Sequence, residues 1–475
     1  RRVVGINLGD VSRCAKVRYL WQTCNGADGF SIFFRYPLFC FLKNAIFVGR
    51  LLTNTLTFMN LLFCSALAVF LLTGCAHSKK NSGAANESAA SVQPVVAQPA
   101  SAPVTVDLSK RYPKKDFCLQ DFADVSYLQL EATDESLLSP VEKWLYYVSD
   151  NLIVAKTQED RVVLLDGKGR FKSSFLHKGN SGREYLRIDK LAVDETRREL
   201  FISDVTTMYR IQVYDFEGNY KRTLPLPAGV FVSFLANYSA DCLLVGDDHI
   251  SGEGISCRER PYFLLSKETG QVVKELDISF RERVSSTASI PGPDAHTVHY
   301  MKLNYNPVIR SCDGWLIGDV SMDTVCAYTP QGVLKPLLVR QPSVYDKEIP
   351  YISYPVLKTP GYFFIECFLL KFDFSKPVQG FKTTWLAYDY EAGETYEVGG
   401  FDNRDYPGYS PSLNVCGHID SPWRNAFFHF ISVEDLLDAL AKGEVSGPLK
   451  DIASQLTADS NPVLVVARLK GCPSE

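Results

Sequence analysis

Residues 179–186 place a cation, a carboxylate and an aromatic ring in three consecutive positions, Arg183, Glu184 and Tyr185. Hydrogen bonds of both polarities, combined with a ring that can stack, suit a sugar or a peptide ligand. We expect these three side chains to lie at the mouth of a central channel. The alternative is that the loop caps and packs the strand that follows it.

A second polar group, Asp247-Asp248-His249, precedes a glycine-rich loop. Two interpretations stay open, because the group either lines the same channel mouth or forms an ordinary polar turn. The only close pair of histidines, His296 and His299, is interpreted as solvated loop residues in preference to a metal site.

Several classes of chemistry have no motif in the chain. We find no Gly-x-Ser-x-Gly, no His-Glu-x-x-His, no phosphate loop and no dinucleotide fingerprint. The net charge of −4 provides no basic field, so a nucleic-acid partner is not expected. We predict no catalytic residue, no metal and no cofactor. Calcium enters only under the alternative of a metal-dependent hydrolase, lyase or lactonase.

The elements that must position these residues are repeated β-hairpins. Residues 161–169 and 210–218 share Arg, Asp and Gly at three positions, and in both copies alternating β-branched, aliphatic or aromatic residues precede a polar turn that Gly closes. The shared residues are Arg161, Asp166 and Gly169 in one copy and Arg210, Asp215 and Gly218 in the other. The two glycines are 49 residues apart, a period typical of four-stranded propeller blades. Later units have longer loops, at residues 285–304 and 339–360.

Residues that recur from blade to blade usually hold the hairpin together. We therefore interpret the repeated Arg, Asp and Gly residues, together with Asp204, as structural in preference to ligand-binding.

The C-terminal region predicts a sixth unit with a helical excursion. Ser432 is a predicted N-cap and Gly443 a predicted stop, and a second short helix covers residues 448–456. Val463–Leu469 is the last predicted strand. The predicted strand Val125–Leu130 is expected to pair with this terminal blade and to close the ring.

The N-terminal part carries a different signal. A short apolar run ends in Leu72-Thr73-Gly74-Cys75, which resembles the lipobox of bacterial lipoproteins, and a polar segment rich in Ala, Ser and Pro follows it. We predict that residues 1–74 are absent from the mature protein, that Cys75 carries a lipid, that residues 75–103 form a tether, and that residues 104–471 form the propeller. The alternative is a chance match within a membrane anchor.

The nine cysteines from Cys75 onward are scattered and contain no CxxC pair. We interpret them as buried free thiols in preference to a disulfide such as Cys242–Cys257.

These features together resemble a known family. Asp204 followed by Arg210 to Gly218 is similar to the NHL-type propeller repeat, and Gly179, Glu184 and Tyr185 match the Gly-x-Gly-Pro-Gly-Glu-Tyr segment of the six-bladed β-propeller lipoproteins of Bacteroidetes. Gly182 and Arg183 depart from that segment, where the family has Pro and Gly. Asn461 to Leu464 matches the family ending.

The resemblance implies an all-β, six-bladed β-propeller anchored at the outer membrane, on its periplasmic or surface face. It implies little about the ligand. The expected function is a lipid-anchored binding or scaffold module for a glycan, a peptide or another envelope protein, and an enzyme on the same fold is the alternative.

Overall fold

The computed structural model describes residues 34–35, 102–140, 144–204, 206, 209–247, 258–291, 297–303, 305–346, 351–369, 371–375, 381–409 and 419–472. The chain divides into two compact units. The smaller unit comprises residues 1–23, 30–101 and 289–300, and in it residues 34–35 pair antiparallel with residues 297–298. The larger unit comprises residues 24–29, 102–288 and 301–475.

The described strands, in chain order, are β1 (Phe34–Arg35), β2 (Val104–Asp107), β3 (Lys114–Cys118), β4 (Ala123–Gln129), β5 (Leu145–Val148), β6 (Leu152–Lys156), β7 (Val162–Asp166), β8 (Phe171–Phe175), β9 (Ile188–Asp194), β10 (Glu199–Asp204), β11 (Arg210–Asp215), β12 (Tyr220–Pro225), β13 (Val232–Asn237), β14 (Cys242–Asp247), β15 (Tyr262–Ser266), β16 (Val272–Glu275), β17 (Thr287–Pro291), β18 (Thr297–Lys302), β19 (Val308–Ser311), β20 (Gly314–Ile317), β21 (Thr324–Tyr328), β22 (Leu334–Gln341), β23 (Tyr351–Lys358), β24 (Tyr362–Leu369), β25 (Thr383–Asp389), β26 (Glu394–Asp402), β27 (Ala426–Ile431) and β28 (Val463–Leu469). The described helices are α1 (Leu119–Phe122), α2 (Val433–Lys442) and α3 (Gly447–Ala453).

Six sheets of the larger unit form the blades of a propeller. Blades 1 to 5 are built on β5–β8, β9–β12, β13–β16, β19–β22 and β23–β26, and blade 6 consists of β27, β28 and β4. The prediction of a six-bladed all-β propeller is therefore confirmed.

The core lies between the blades. Each of the six neighbouring pairs of blades, including blades 6 and 1, shares a cluster of buried apolar side chains. Because each blade packs against a neighbour on both of its faces, the side chains on both faces of a strand can be buried. All six residues of β10 are buried in this way. The ring is closed by these contacts.

The segment from residue 104 to residue 129 extends along the outer edges of three blades. Strand β2 pairs parallel with β22 of blade 4, and β3 pairs parallel with β26 of blade 5. Strand β4 then pairs antiparallel with β28 along its whole length and completes blade 6. Closure of the terminal blade by an N-terminal strand is confirmed, whereas the two parallel additions were not predicted.

The two hairpins that repeat in the sequence have the same turn. In each, an Oδ1 atom accepts two backbone N–H groups, from residues 168 and 170 to Asp166 and from residues 217 and 219 to Asp215, at 2.7–3.0 Å. Gly169 and Gly218 follow with φ angles of 79° and 87°. A side chain on Gly218 would meet the Phe175 ring of blade 1 at 2.7 Å, so this turn also requires close approach between blades.

The helical excursion is confirmed on the outside of blade 6. The Ser432 hydroxyl accepts the Asp435 N–H at 3.1 Å, and Gly443 ends α2 in the left-handed conformation. Helix α3 begins with a proline in its first turn. Both helices pack on β27 and β28 through a shared apolar cluster. No helix among the described residues is long and apolar enough to cross a membrane.

The two long loops predicted in later units contain strands. Residues 285–304 include β17 and β18, and residues 339–360 include the whole of β23, the inner strand of blade 5. Pro355 obscured β23, because proline is rare in central strands. An inner strand has one unpaired edge, and the register of β23 shifts between residues 355 and 357.

The cysteine prediction is corrected in part. Cys312 and Cys472 form a disulfide, which joins the turn after β19 in blade 4 to the segment after β28. Cys242 is a buried free thiol, and Cys118, Cys326 and Cys367 are also free. Cys257 lies outside the described residues, as do Cys75 and the predicted segments that surround it.

Candidate functional site

A cavity of about 430 Å³ lies where the inner strands of blades 1 to 4 end. Strands β5, β9, β13 and β19 come first in their blades, and β9 contacts both β5 and β13. Their last residues and the turns after them form one end of the channel. The lining residues are Tyr147, Ser149, Asp150, Asn151, Glu195, Thr196, Asn237, Arg310, Asp420, Ser421 and Pro422.

An ion pair between Arg310 and Asp420 occupies the blade 4 side of this cavity. The Arg310 Nε–H donates to Asp420 Oδ1 at 3.2 Å, and the guanidinium carbon lies 3.8 Å from the centre of the Trp315 ring. Burial raises the pKa of Asp420, and the neighbouring Arg310 offsets only part of this effect. The side chain of Arg310 is held in position by both partners.

The segment 419–422 spans the central channel. Asp420 pairs through its backbone with β5 of blade 1, where it donates to the Tyr146 carbonyl at 2.9 Å and accepts the Val148 N–H at 3.1 Å. Its carboxylate accepts the Asn237 N–H of blade 3 at 3.3 Å. One residue on the way into blade 6 thus joins blades 1, 3 and 4, and it forms the inner wall of the cavity.

Glu195 faces the cavity from the turn after β9 and is bound only by neutral donors. Its Oε2 accepts the hydroxyls of Tyr147 at 3.0 Å and Ser149 at 2.8 Å, and its Oε1 accepts the Asn151 amide at 3.0 Å. All three donors come from blade 1. Most of the accepting capacity of this carboxylate is therefore used within the protein.

A buried lysine fixes the orientation of Asn237. Lys267 Nζ donates to Asn237 Oδ1 and to Asp194 Oδ2, both at 2.6 Å, and the lysine side chain is fully buried. Burial lowers the pKa of Lys267, while Asp194 acts in the opposite direction. Because the amide oxygen accepts from Lys267, the amide NH₂ points away from it.

The predicted triad Arg183, Glu184 and Tyr185 lies at the other end of β9, before that strand begins. Tyr185 is fully buried, and its hydroxyl donates to the Asp160 carbonyl at 2.9 Å. The Glu184 carboxylate accepts the Ser181 N–H at 2.9 Å, and this bond lowers the pKa of Glu184.

Side chains of β11 and β12 hold the backbone of this loop. Tyr214 donates to the Arg183 carbonyl at 2.6 Å, Gln212 donates to the Glu184 carbonyl at 2.6 Å, and the Arg183 guanidinium lies over the Tyr220 ring. Contacts with the outer strands of blade 2 match the alternative in which the loop caps its blade. Ligand binding by the triad stays a prediction.

Asp247 occupies the same structural position as Asp204. Each ends the second strand of its blade, and each accepts a backbone N–H from the loop before the first strand, Leu186 to Asp204 at 2.7 Å and Phe231 to Asp247 at 2.9 Å. This equivalence indicates that each carboxylate holds the backbone of the loop that leads into its own blade. Asp248 and His249 lie outside the described residues.

The repeated arginines contact their own blades or the loop before them. Arg161 donates to the Ser174 hydroxyl of blade 1 at 3.2 Å, and Arg210 donates to the Ser181 carbonyl at 3.4 Å. Neither residue lines the cavity. The interpretation of these arginines as structural stays a prediction, because only a binding measurement can test it. The same holds for the other predicted site residues.

Sequence reasoning missed the cavity residues. Arg310 and Asp420 are 110 positions apart and share no motif, so no local pattern connects them. A usable signal was the shared position: Ser149, Glu195 and Asn237 each end or follow the first strand of a blade. Aligning the blades by strand order, and not by the hairpin motif, would have grouped them.

Within the described residues no group of three or more His, Cys, Asp or Glu side chains is arranged to hold a metal ion. The calcium-dependent alternative gains no candidate site from the described part of the chain, and it stays a prediction.

Several solved structures are similar to the chain. A protein of Bacteroides fragilis whose name describes it as exported matches with a TM-score of 0.51 at 13% identity, and the match covers 78% of this chain and 100% of that one. A member of the DUF4221 family from Bacteroides vulgatus matches with a TM-score of 0.40 at 8% identity, over 74% and 99% of the two chains. A Bacteroides thetaiotaomicron protein of unknown function matches with a TM-score of 0.33 at 13% identity, and the match covers 73% of this chain and 76% of that one.

No curated protein is detectably similar to the chain. The model of a family described as a domain of unknown function, DUF4934, matches residues 103–468. The matched residues contain all six blades and the N-terminal segment along their outer edges.

Proposed function

The chain belongs to the DUF4934 family, and from this premise we propose that it is a binding module of the cell envelope that holds a polar ligand in the axial cavity. The observation that carries the proposal is the convergence of Glu195, Asn237, Arg310 and Asp420, from four different blades or their entry loops, on one cavity. A cavity with a few oriented polar groups is the usual form of a small-ligand site.

Three independent features support an envelope location. The Cys312–Cys472 disulfide suits an oxidising compartment outside the cytosol. The sequence from Leu72 to Cys75 resembles a lipobox. The Bacteroides fragilis protein with the same fold is described as exported. With the NHL-like repeat at residues 204–218, these features support a lipoprotein of the outer membrane whose propeller is tethered through Cys75.

The lining favours a hydroxyl-rich ligand such as a glycan end over an apolar peptide. Carboxylate, hydroxyl, amide and guanidinium side chains make up most of the lining residues, and Pro422 and the ring of Tyr147 add apolar surface. Sugars offer donors and acceptors on the same scaffold and can use such a mixture of groups.

Binding is tested with Thr196→Trp, which places a large side chain at the exposed edge of the cavity. We expect a ligand found by thermal-shift screening of glycans and peptides to lose its effect on the melting temperature in this variant. Lys335→Trp, on the exposed face of β22 away from the cavity, is the matched control and should bind normally. A ligand that binds Thr196→Trp and Lys335→Trp equally well would show that the cavity is not its site.

Anchoring is tested separately with Cys75→Ser. The variant should leave the membrane fraction and should not acquire the mass of a lipid. A variant that stays with membranes at its precursor mass would favour a membrane-spanning anchor.

A further inference from the structure

The open groups of the axial cavity are mainly hydrogen-bond donors. Arg310 uses only Nε to bind Asp420, and its two terminal nitrogens have no hydrogen-bond partner among the described residues. They belong to a half-buried guanidinium that Trp315 and Asp420 hold in place. An immobilised guanidinium with its outer fork free can bind a planar anion through two parallel hydrogen bonds.

Asn237 adds a second donor. Its amide oxygen is taken by Lys267, and in the part of the chain that the structure describes its amide NH₂ has no partner. Asn237 lines the same cavity, and its backbone N–H binds the Asp420 carboxylate that also holds Arg310. The two open donors are therefore positioned by one shared residue.

The carboxylates of the cavity are already occupied. Asp420 accepts from Arg310, from the Ser421 N–H and from the Asn237 N–H, and Glu195 accepts from three side chains of blade 1. Asp150 is paired with Arg468 at 3.2 Å and accepts the indole N–H of Trp423. A ligand entering the cavity therefore meets carboxylates that already accept several hydrogen bonds, and donors of Arg310 and Asn237 that have no partner among the described residues.

We infer that the ligand of this cavity is an acidic sugar, whose carboxylate is bound by the terminal nitrogens of Arg310 together with the Asn237 amide. This inference rests on the proposed function and specifies its ligand class. The ring hydroxyls of the sugar would face other polar groups of the lining, among them Thr196, Ser149 and the remaining lone pair of Glu195.

The charges around the cavity are compatible with an anion. Asp420 is offset by Arg310, and Asp150 is offset by Arg468, so Glu195 is the only charge without a cation partner among the described lining residues. Its three neutral donors disperse that charge away from Arg310. The remaining negative charge of Glu195 disfavours a polyanion more strongly than a sugar with a single carboxylate.

The ligand-side experiment compares D-glucuronate and D-galacturonate with their methyl esters and with D-glucose, by calorimetry on the lipid-free chain from residue 103 onward. We expect at least one uronate to bind about tenfold or more tightly than its ester and than glucose. Equal binding of a uronate and its ester, or no binding of either uronate at concentrations on the order of 10 mM, would overturn the inference. Preferential binding of a peptide with a free C-terminal carboxylate would also overturn it.

The protein-side experiment uses Arg310→Lys, which keeps the positive charge and removes the fork. Uronate binding should weaken about tenfold or more, since an ammonium cannot form the two parallel bonds. Arg161→Lys makes the same change in blade 1, away from the cavity, and should bind like the wild type. Unchanged uronate binding by a folded Arg310→Lys protein contradicts the inference.

The two levels of proposal can fail separately. Neutral sugars that bind and are blocked by Thr196→Trp would remove the acidic-sugar inference and leave the proposed function standing. If every ligand binds the Thr196→Trp variant as well as the wild type, both the acidic-sugar inference and the proposed function are wrong.

Discussion

Blades 1 to 3 and blades 4 to 6 differ in how their outer edges end. In the first three, four consecutive strands complete each sheet, and β8, β12 and β16 have no further strand beside them in the described structure. In the last three, β2, β3 and β4 lie outermost, although they come from the beginning of the chain. The first half is thus built from self-contained sequence repeats, whereas the second half depends on strands from elsewhere.

The turns between third and fourth strands show the same difference. Gly218 of blade 2 packs against Phe175 of blade 1, and Gly270 of blade 3 packs against Pro225 of blade 2. In blade 5 the corresponding Gly393 has only the Tyr388 hydroxyl within 4.0 Å of an added Cβ. The early blades are interlocked by their turns, and the later ones are joined by the N-terminal segment and the disulfide.

Removal of the N-terminal strands should have the largest effect. A chain that begins at Leu130 lacks β2, β3 and β4, which leaves blade 6 with two strands, so we expect it to lose cooperative thermal unfolding by circular dichroism. A chain that begins at Leu108 lacks only β2 among the strands of the six blades and should keep a cooperative transition. Wild-type stability in the chain that begins at Leu130 would show that blades 4 to 6 do not need the N-terminal strands.

Loss of the disulfide should come next. Cys472→Ser should reduce the free energy of unfolding by about 2–4 kcal/mol in chemical denaturation, because the crosslink limits the unfolded chain. Wild-type protein with reductant should match the variant, and Cys326→Ser, a substitution at a free thiol, should keep its sensitivity to reductant. A Cys472→Ser protein that reductant still destabilises would point to another crosslink.

The turn glycines provide a sharper comparison of the two halves. Both Gly218 and Gly393 have positive φ, so alanine at either position should cost about 1 kcal/mol from backbone strain. Gly218→Ala must also displace the Phe175 ring, which adds about 1–3 kcal/mol. Equal losses in the two variants, measured by denaturant unfolding, would mean that the turn of blade 2 is not interlocked.

The effect that is smallest near neutral pH concerns acid stability and belongs to blade 6. His429 in β27 is buried, neither ring nitrogen has a partner within the described residues, and burial lowers the pKa of His429 to about 3. The unfolded histidine, with a pKa of about 6.5, binds a proton first. Stability should therefore be complete above about pH 6.5 and fall by up to about 1.4 kcal/mol per unit as the pH drops towards 3.

His429→Phe should remove this component of the pH dependence, measured by denaturant unfolding at several pH values. His177→Phe in blade 1 serves as the matched control, because it leaves His429 unchanged and should keep the slope. An identical pH dependence in wild type and His429→Phe would exclude His429 as its source.

The elements that could be predicted from the sequence are those formed by residues close together in the chain. Asp215 and Gly218 could be placed from the sequence because the turn that they form is local, and each bond spans at most four residues. The inner strand β23 could not, because Pro355 conceals its alternation. The parallel pairing of β2 with β22 follows only from ring closure, which no local pattern encodes.

The site was less predictable than the fold for a related reason. The loop from Gly179 to Tyr185 offered suitable side chains, but side chains of the same blade hold its backbone. Arg310, Asn237 and Glu195 have ordinary sequence surroundings and come together only where the inner strands of blades 1 to 4 end. The types of the side chains were enough to name candidate residues. Which residues line the cavity depended on where they lie relative to the ends of the inner strands.

The position of the N-terminal segment also sets an order of events during synthesis. Strands β2, β3 and β4 leave the ribosome first, yet their pairing partners are β22, β26 and β28, and the last of these ends at Leu469. Blades 1 to 3 can assemble as they emerge, while β2 and β3 must wait for strands that end at Gln341 and Asp402, and β4 must wait until nearly the whole chain has been made. The first part of the propeller to be translated is therefore the last to become folded.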